Sequence, residues 1–252
     1  PLAIFVVAAA LVGLAVAAIA AAMLPGRDPL GRSERGRTLY VYGAEALLAL
    51  LVMHIRLTMP LLFSGFFARY WTFLIVFLAF LGVALSELFA RRRRTVLSEP
   101  LERTGAFLPL LPVLGFWAAP AGHYSLLLFS VGAVYATLAV MRKSFGFGVL
   151  AALAANGGLW FFLSRVEGFG LLEHPQVWCI PPAVSVLVAA WLNRDRLSAE
   201  QMTSIRYLTS ITIYVSSTSD IFLNGVAEAP WLPLVLGGIS LIGIFAGIFL
   251  RV

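Results

Sequence analysis

Three acidic side chains fall inside apolar runs long enough to cross a bilayer: Glu45, Glu87 and Asp220. An ionisable group at membrane depth costs roughly 2.5–3.5 kcal/mol on insertion scales, so each is a candidate for proton or cation chemistry. Glu45 sits about 10 Å into its run at 1.5 Å per residue, and its helical neighbours Tyr42, Leu48 and Ala49 supply no cation. It is protonated, paired across helices or facing water, and reads either as a proton or cation site or as a structural hydrogen bond. Glu87 has Arg91 at i+4, the spacing of a helical ion pair with the arginine snorkelling outward. Asp220 closes an unusually polar run in which Thr209, Thr212, Ser216 and Asp220 share one helical face. Such a face either lines a polar cavity or bonds to other helices through its hydroxyls. Asn156, near the middle of another apolar run, needs a partner in either case. Glu45, Asn156, Thr209, Ser216 and Asp220 are the candidate intramembrane polar site, and no catalytic residue is identified.

Other chemistry is weaker. His54, His123 and His174 lie in three different loop regions with no His-x-x-His pair, so neither a zinc site nor a bis-histidine haem is expected. The lone Cys179 can build neither a disulfide nor a cysteine metal site within the chain. Phosphate-binding Gly-x-x-x-x-Gly-Lys, His-Glu-x-x-His and Gly-x-Ser-x-Gly motifs are absent. No metal and no cofactor is expected. The run Arg91-Arg92-Arg93-Arg94 is the densest charge cluster, suited to anchoring topology or to holding anionic lipid headgroups.

The elements that must position these residues are membrane helices. The 252 residues are 61% hydrophobic and 12% charged, against about 45–50% and about 25% in soluble domains. With a mean hydropathy of +0.94, a water-soluble fold is excluded. The net charge of +6 does not point to nucleic acid, because the basic residues stand in short blocks between apolar runs. At about 20 residues per crossing, spans are expected at 2–24, 39–55, 70–90, 106–119, 124–141, 145–163, 177–192, 204–222 and 231–250. The expected fold is an all-α polytopic transmembrane bundle of about nine spans in a single domain.

The fourth span is short and interrupted by Pro109 and Pro112, with Pro120 following. Charge decides in favour of a crossing. With nine spans, one side collects Arg27, Arg32, Arg35, Arg37, Arg91 to Arg94, Arg103, Arg142, Lys143, Arg194, Arg196, Arg206 and Arg251, which is 15 of 18 basic residues. By the positive-inside rule this side is cytoplasmic, so the chain starts outside and ends inside. Tyr70, Trp71, Trp117, Trp178 and Trp231 fall at the outer boundary and Trp191 at the inner one, as aromatic belts do. The segment between Arg56 and Arg69, with Met59 to Phe63 and Phe66-Phe67, is apolar enough to lie at the interface. Gly243 and Gly247 form a small-xxx-small pair, and Asn156-Gly157-Gly158 also permits close helix approach.

Arginine outnumbers lysine 17 to 1 and alanine is abundant, the usage of a GC-rich genome, which points to a bacterial inner membrane. Pro1 in place of Met, and Arg251-Val252 directly after the last span, are the ends expected of a piece of a longer chain. Glu99 to Gly105, Arg142 to Gly148, and Ile221 to Gly225 with the Gly-rich stretch up to Arg251 resemble large uncharacterised bacterial multi-pass membrane proteins. The resemblance covers most of the chain and implies a many-span protein, with no activity or site residues attached.

Three functional readings follow. The first is a non-enzymatic structural or interaction component of a larger membrane protein or complex, with the lipid bilayer and other membrane subunits as partners and no nucleic acid. The second is a transporter or channel-like protein using Glu45 and the polar eighth span. The third is a membrane enzyme acting on a lipid-linked substrate at the outer face through Arg56, His54, Glu167 or Glu173.

Overall fold

A computed structural model of the chain describes residues 2–24, 33–115, 123–224 and 238, with the backbone alone at 34–35 and 220–224. The ninth expected span with Gly243 and Gly247, the side chain of Asp220, and Arg27, Arg32, Arg35, Trp117, Trp231 and Arg251 lie outside what is described. Every regular element among the described residues is helical: α1 Leu2–Met23, α2 Glu34–Thr58, α3 Phe66–Arg91, α4 Thr95–Phe107, α5 Leu110–Leu114, α6 Tyr124–Arg142, α7 Phe145–Leu163, α8 Pro175–Leu192 and α9 Ala199–Asn224. Six of these are long and apolar enough to cross a membrane: α1, α2 from Gly36, α3, α6, α7 and α8. The helix α9 covers the eighth expected span and is as long as α3, but its hydroxyl-rich sequence keeps it out of that group. The helices form two compact units, residues 1–142 and 143–252.

In the first unit, α1 and α2 make an antiparallel hairpin fastened at both ends. Arg37 Nη1 donates to the Ala22 carbonyl at 3.0 Å, and His54 Nε2 donates to the Ile4 carbonyl at 3.3 Å. The Arg37 bond satisfies a carbonyl that the end of α1 leaves without a helical donor, and places a cation at the negative end of its dipole. The two ties lie about 27 Å apart along α1, close to the thickness of a bilayer core. Ser33 caps α2 by accepting from the Gly36 N–H. Beyond Thr58 the apolar segment forms a 3₁₀ turn, Pro60–Phe63, which exposes Leu61 and Leu62, with Phe66 and Phe67 exposed at the start of α3.

The helices α3 and α6 run parallel. His123, just before α6, lies against Tyr70 and Phe73 early in α3, with ring centroids 6.2 and 6.4 Å apart. At the other end Arg142 closes α6 beside Glu87 near the end of α3. From Arg91 the described chain runs back along α3 through α4 and α5, with Leu101 against Gly82, Gly105 against Ala79 and Val113 bonded by Tyr124. The helical part of this return differs from the expected span 106–119: it starts at Thr95, breaks after Phe107 and resumes for five residues at Leu110. Pro109 causes the break, since it has no N–H and its ring clashes with the preceding turn. Two tyrosines of α6 serve carbonyls of the broken segment. Tyr135 Oη donates to Ala106 O and Tyr124 Oη to Val113 O, both at 3.0 Å. Non-helical backbone at membrane depth is tolerated only where such partners exist.

The helix α4 packs against α1, α2, α3 and α6, which makes it the centre of the first unit. It can approach α3 closely because two glycines meet there. A Cβ on Gly105 would stand 3.1 Å from Ala79 O, and one on Gly82 would stand 3.3 Å from Leu101 O. At one end Ala22, Val41, Val96 and Leu97 are buried together, with Tyr40 and Phe89 against them.

In the second unit α8 packs on α7 and α9. The buried positions of α8 are Ala183 and Ala190, and Thr209 and Ser216 are buried on α9. Each pair is seven residues apart, two helical turns, so each helix presents one narrow stripe of small side chains. Trp160 Nε1 on α7 donates to Trp178 O on α8, and Trp178 Nε1 donates to Phe169 O in the connection between them, both at 2.9 Å.

Candidate functional site

Glu45 stands near the middle of α2 and meets α4. Thr104 Oγ1 donates to Glu45 Oε2 at 2.7 Å across 59 residues of sequence. Both residues lie about 13 Å along their helices from Gly36 and Thr95, a little under half of the roughly 30 Å that a bilayer core spans. The close crossing at Gly105 sets this geometry, because the next residue toward the start of α4 is Thr104. The other carboxyl oxygen, Glu45 Oε1, is buried and accepts no hydrogen bond among the described residues. Among the described residues no cation pairs with Glu45, and its single partner is a hydroxyl.

A cleft of about 390 Å³ opens beside this pair, lined by Tyr42, Arg103, Thr104, Phe107, Leu108 and Leu111. It follows the interruption between α4 and α5. Its polar side chains lie on the Thr95 side and its apolar ones around the break. Arg103 pairs with Glu99 one turn back on α4, so its charge is drawn away from Glu45 and toward the start of the helix.

That end of the first unit carries a second, denser set of charges. Arg142 Nε donates to Glu102 Oε1 at 2.8 Å, and its Nη2 reaches Glu102 Oε2, so the guanidinium grips the carboxylate with two parallel bonds. Arg142 Nη1 is 3.9 Å from Glu87 Oε2, and Arg91 Nε donates to Glu87 Oε1 at 2.9 Å. The result is an alternating chain, Arg91, Glu87, Arg142, Glu102, that joins the ends of α3 and α6 to the middle of α4. Of this network the expected i+4 pair between Glu87 and Arg91 is present. The roles of Arg142 and Glu102 carry no local sequence signal.

The remaining candidate polar residues belong to the second unit. Asn156 Nδ2 donates to Ala152 O at 2.8 Å on its own helix and to Ser185 Oγ at 3.0 Å on α8, and Ser185 Oγ donates in turn to Pro181 O. This supplies the partner that Asn156 requires. Along α9 the hydroxyls turn inward on the helix itself: Thr209 donates to Ile205 O, Thr212 to Leu208 O, Ser216 to Ile213 O, Thr218 to Tyr214 O and Ser219 to Val215 O. Thr209 and Ser216 are buried, whereas Thr212 between them is only half-buried. Glu45 belongs to the first unit, and Asn156, Thr209 and Ser216 to the second.

The histidines are likewise engaged locally. His54 bonds the α1 backbone, His123 packs on Tyr70 and Phe73, and His174 precedes α8 with its ring 5.2 Å from that of Phe169. Glu173 Oε2 accepts from the Gly170 N–H at 2.9 Å, which closes a turn. Among the described residues no group of three His, Cys, Asp or Glu side chains could hold a metal ion.

Sequence reasoning missed Thr104, Tyr135 and the pairing of Gly82 with Gly105. The available signal was Thr104-Gly105 one helical turn ahead of Pro109, a hydroxyl and a small residue close to where the helix breaks. Comparison with known protein families, curated proteins and solved structures gives no match.

Proposed function

We propose that this chain is an integral membrane protein that works as a structural or interaction component of a larger membrane protein or complex. Its several long apolar helices are compatible with a membrane protein. The observation that carries the finer reading is how its polar side chains are used. The arginines, tyrosines and Asn156 at helix contacts bind neighbouring helices, while the α9 hydroxyls bind their own backbone. Those bonds hold a bundle together. The helices also leave much apolar surface for lipid or for other subunits, including Tyr207, Leu208, Ile211, Tyr214 and Val215 along one side of α9.

In this reading Arg37, Arg91 to Arg94 and Arg142, which gather at one end of the first unit, lie at the cytoplasmic face of a bacterial inner membrane, with the start of the chain outside. The return of the chain between α3 and α6 supports a crossing by the fourth segment, built as a broken helix, and thus a bundle of about nine spans. The experiment is extraction of the protein from its native membrane in mild detergent, followed by measurement of the protein mass in the particle. A mass well above one chain is expected. A monodisperse particle holding one chain alone would overturn the reading.

One observation favours the second reading, a transporter or channel-like protein: Glu45 Oε1 is buried and without a partner among the described residues, beside an open cleft. An interrupted helix near the membrane midplane is where transporters place their sites. Glu45→Gln retains an acceptor for Thr104, so under the structural reading the variant folds and nothing else changes. Under the transport reading it abolishes proton or cation flux in reconstituted vesicles.

A further inference from the structure

The connection between α3 and α4 is only three residues long, Arg92 to Arg94, and its geometry is unfavourable for the residues it contains. The helix α3 ends in a Schellman motif: Arg94 N–H donates to Phe89 O and Arg93 N–H to Ala90 O, both at 2.9 Å. This motif puts Arg93 in the left-handed region at φ 55°, a position that glycine fills at no steric cost. Among the described residues only Lys143, also basic, shares a positive φ without being glycine. Arg94 then stands at the N-cap of α4, where Ser, Thr, Asp or Asn would accept a backbone N–H; it makes no cap bond and sets a cation at the positive end of the helix dipole. Two consecutive positions thus carry arginine against local preference, a mark of functional sites.

Charge pairing separates these arginines from their neighbours. Arg91 bonds Glu87, and Arg142 bonds Glu102. Arg92, Arg93 and Arg94 are exposed and make no ion pair among the described residues. Simple topology anchoring does not require this arrangement, since glycine at 93 would leave Arg91, Arg92 and Arg94 on the same side. We infer that Arg92, Arg93 and Arg94 form a binding site for the headgroup of an acidic phospholipid, held rigid by the tight turn at the membrane surface. The occupant follows from the place and the charge. A turn that joins a membrane-spanning helix to α4 lies at headgroup level, and three guanidiniums on consecutive residues match phosphate oxygens, which they bind by paired N–H bonds.

The test uses the full chain in detergent with phosphatidylglycerol as probe and phosphatidylcholine as control, with binding read by native mass spectrometry. Phosphatidylglycerol is expected to bind more tightly than phosphatidylcholine. Each arginine contributes about fivefold, so replacing all three with alanine lowers phosphatidylglycerol affinity on the order of a hundredfold, while replacement by lysine retains most of it. The decisive variant is Arg93→Gly. Relief of the left-handed residue raises the apparent Tm in lipid-free detergent by about 2–4 °C, while phosphatidylglycerol affinity falls about fivefold. Because this variant strengthens the fold, it carries the test even where the triple alanine variant fails to fold. Equal binding of the two lipids, or undiminished phosphatidylglycerol affinity in Arg93→Gly, would overturn the inference.

Discussion

The two units of this chain use their polar side chains in different proportions. In the first, polar side chains reach across helices: Glu45 to Thr104, Tyr135 to Ala106, Arg142 to Glu102, His54 to Ile4 and Arg37 to Ala22. In the second, the richest polar sequence, α9, spends its hydroxyls on carbonyls three or four residues back, and Asn156 with Ser185 supplies the one described side chain to side chain bond between helices. A hydroxyl bonded to its own helix hides its donor without specifying a neighbour. A bond that crosses between helices fixes register and depth. Polarity therefore locates an assembly site where the bond crosses between helices, as from Thr104 to Glu45, Arg142 to Glu102 and Tyr135 to Ala106, and not where it returns to its own helix, as along α9 or between Arg91 and Glu87.

The contrast is most easily broken where α4 meets α3. Gly105→Leu adds a side chain whose first carbon already stands 3.1 Å from Ala79 O and 3.2 Å from Val83 N, both backbone atoms that cannot rotate away. A loss of about 3 kcal/mol of stability is expected in mixed-micelle unfolding, together with separation of Thr104 from Glu45. An unchanged unfolding free energy would show that α4 does not depend on this contact. Arg142→Ala comes next. Its partners are about three-quarters shielded, with side-chain exposures of 29% for Glu87 and 26% for Glu102, and it leaves both carboxylates without their shared cation. The expected cost is about 2 kcal/mol, between the values for surface and fully buried pairs. Arg142→Lys recovers only part of this, because an ammonium cannot grip Glu102 through two parallel bonds.

These two sites also show what the sequence alone could and could not disclose. The helices α1, α7 and α8 are legible from apolar length, and the expected 145–163 coincides with Phe145–Leu163. The helix α2 begins five residues earlier than expected because Ser33 caps it and its first turn is polar. The fourth segment was harder to read. Hydropathy finds the apolar stretch from Ala106 and passes over α4, whose Glu99, Glu102 and Arg103 look like a solvated loop. What lets Glu102 enter the bundle is Arg142, 40 residues away, and no local pattern announces it. Glu45 could be singled out because its cost is intrinsic to the residue. Thr104 could not, because a threonine costs little wherever it lies and its partner is 59 residues distant.

Smaller substitutions sharpen the comparison. Tyr135→Phe removes the donor to Ala106 O from a side chain that is fully buried, and the carbonyl beside the α4 break loses its described side-chain donor. A cost of about 1–2 kcal/mol is expected. Thr104→Val removes the one described hydrogen bond that Glu45 accepts and is expected to cost about 1 kcal/mol, within the range for hydroxyl bonds between membrane helices. The matching substitutions in the second unit are Thr212→Val and Thr218→Val. Each is isosteric and each deletes a hydroxyl whose described bond lies within α9, at 2.9 and 2.7 Å respectively. The carbonyls of Leu208 and Tyr214 lose only this second bond, because they still accept from the helix backbone. The loss of the internal bond is offset by removal of a polar group from an apolar surround, and valine is no worse a helix former than threonine. The expected change is within about 0.5 kcal/mol for each, with both together still below the cost of Thr104→Val alone. If Thr212→Val instead costs as much as Thr104→Val, the α9 hydroxyls serve a partner or a cavity rather than their own helix, and the division of labour between the units does not hold.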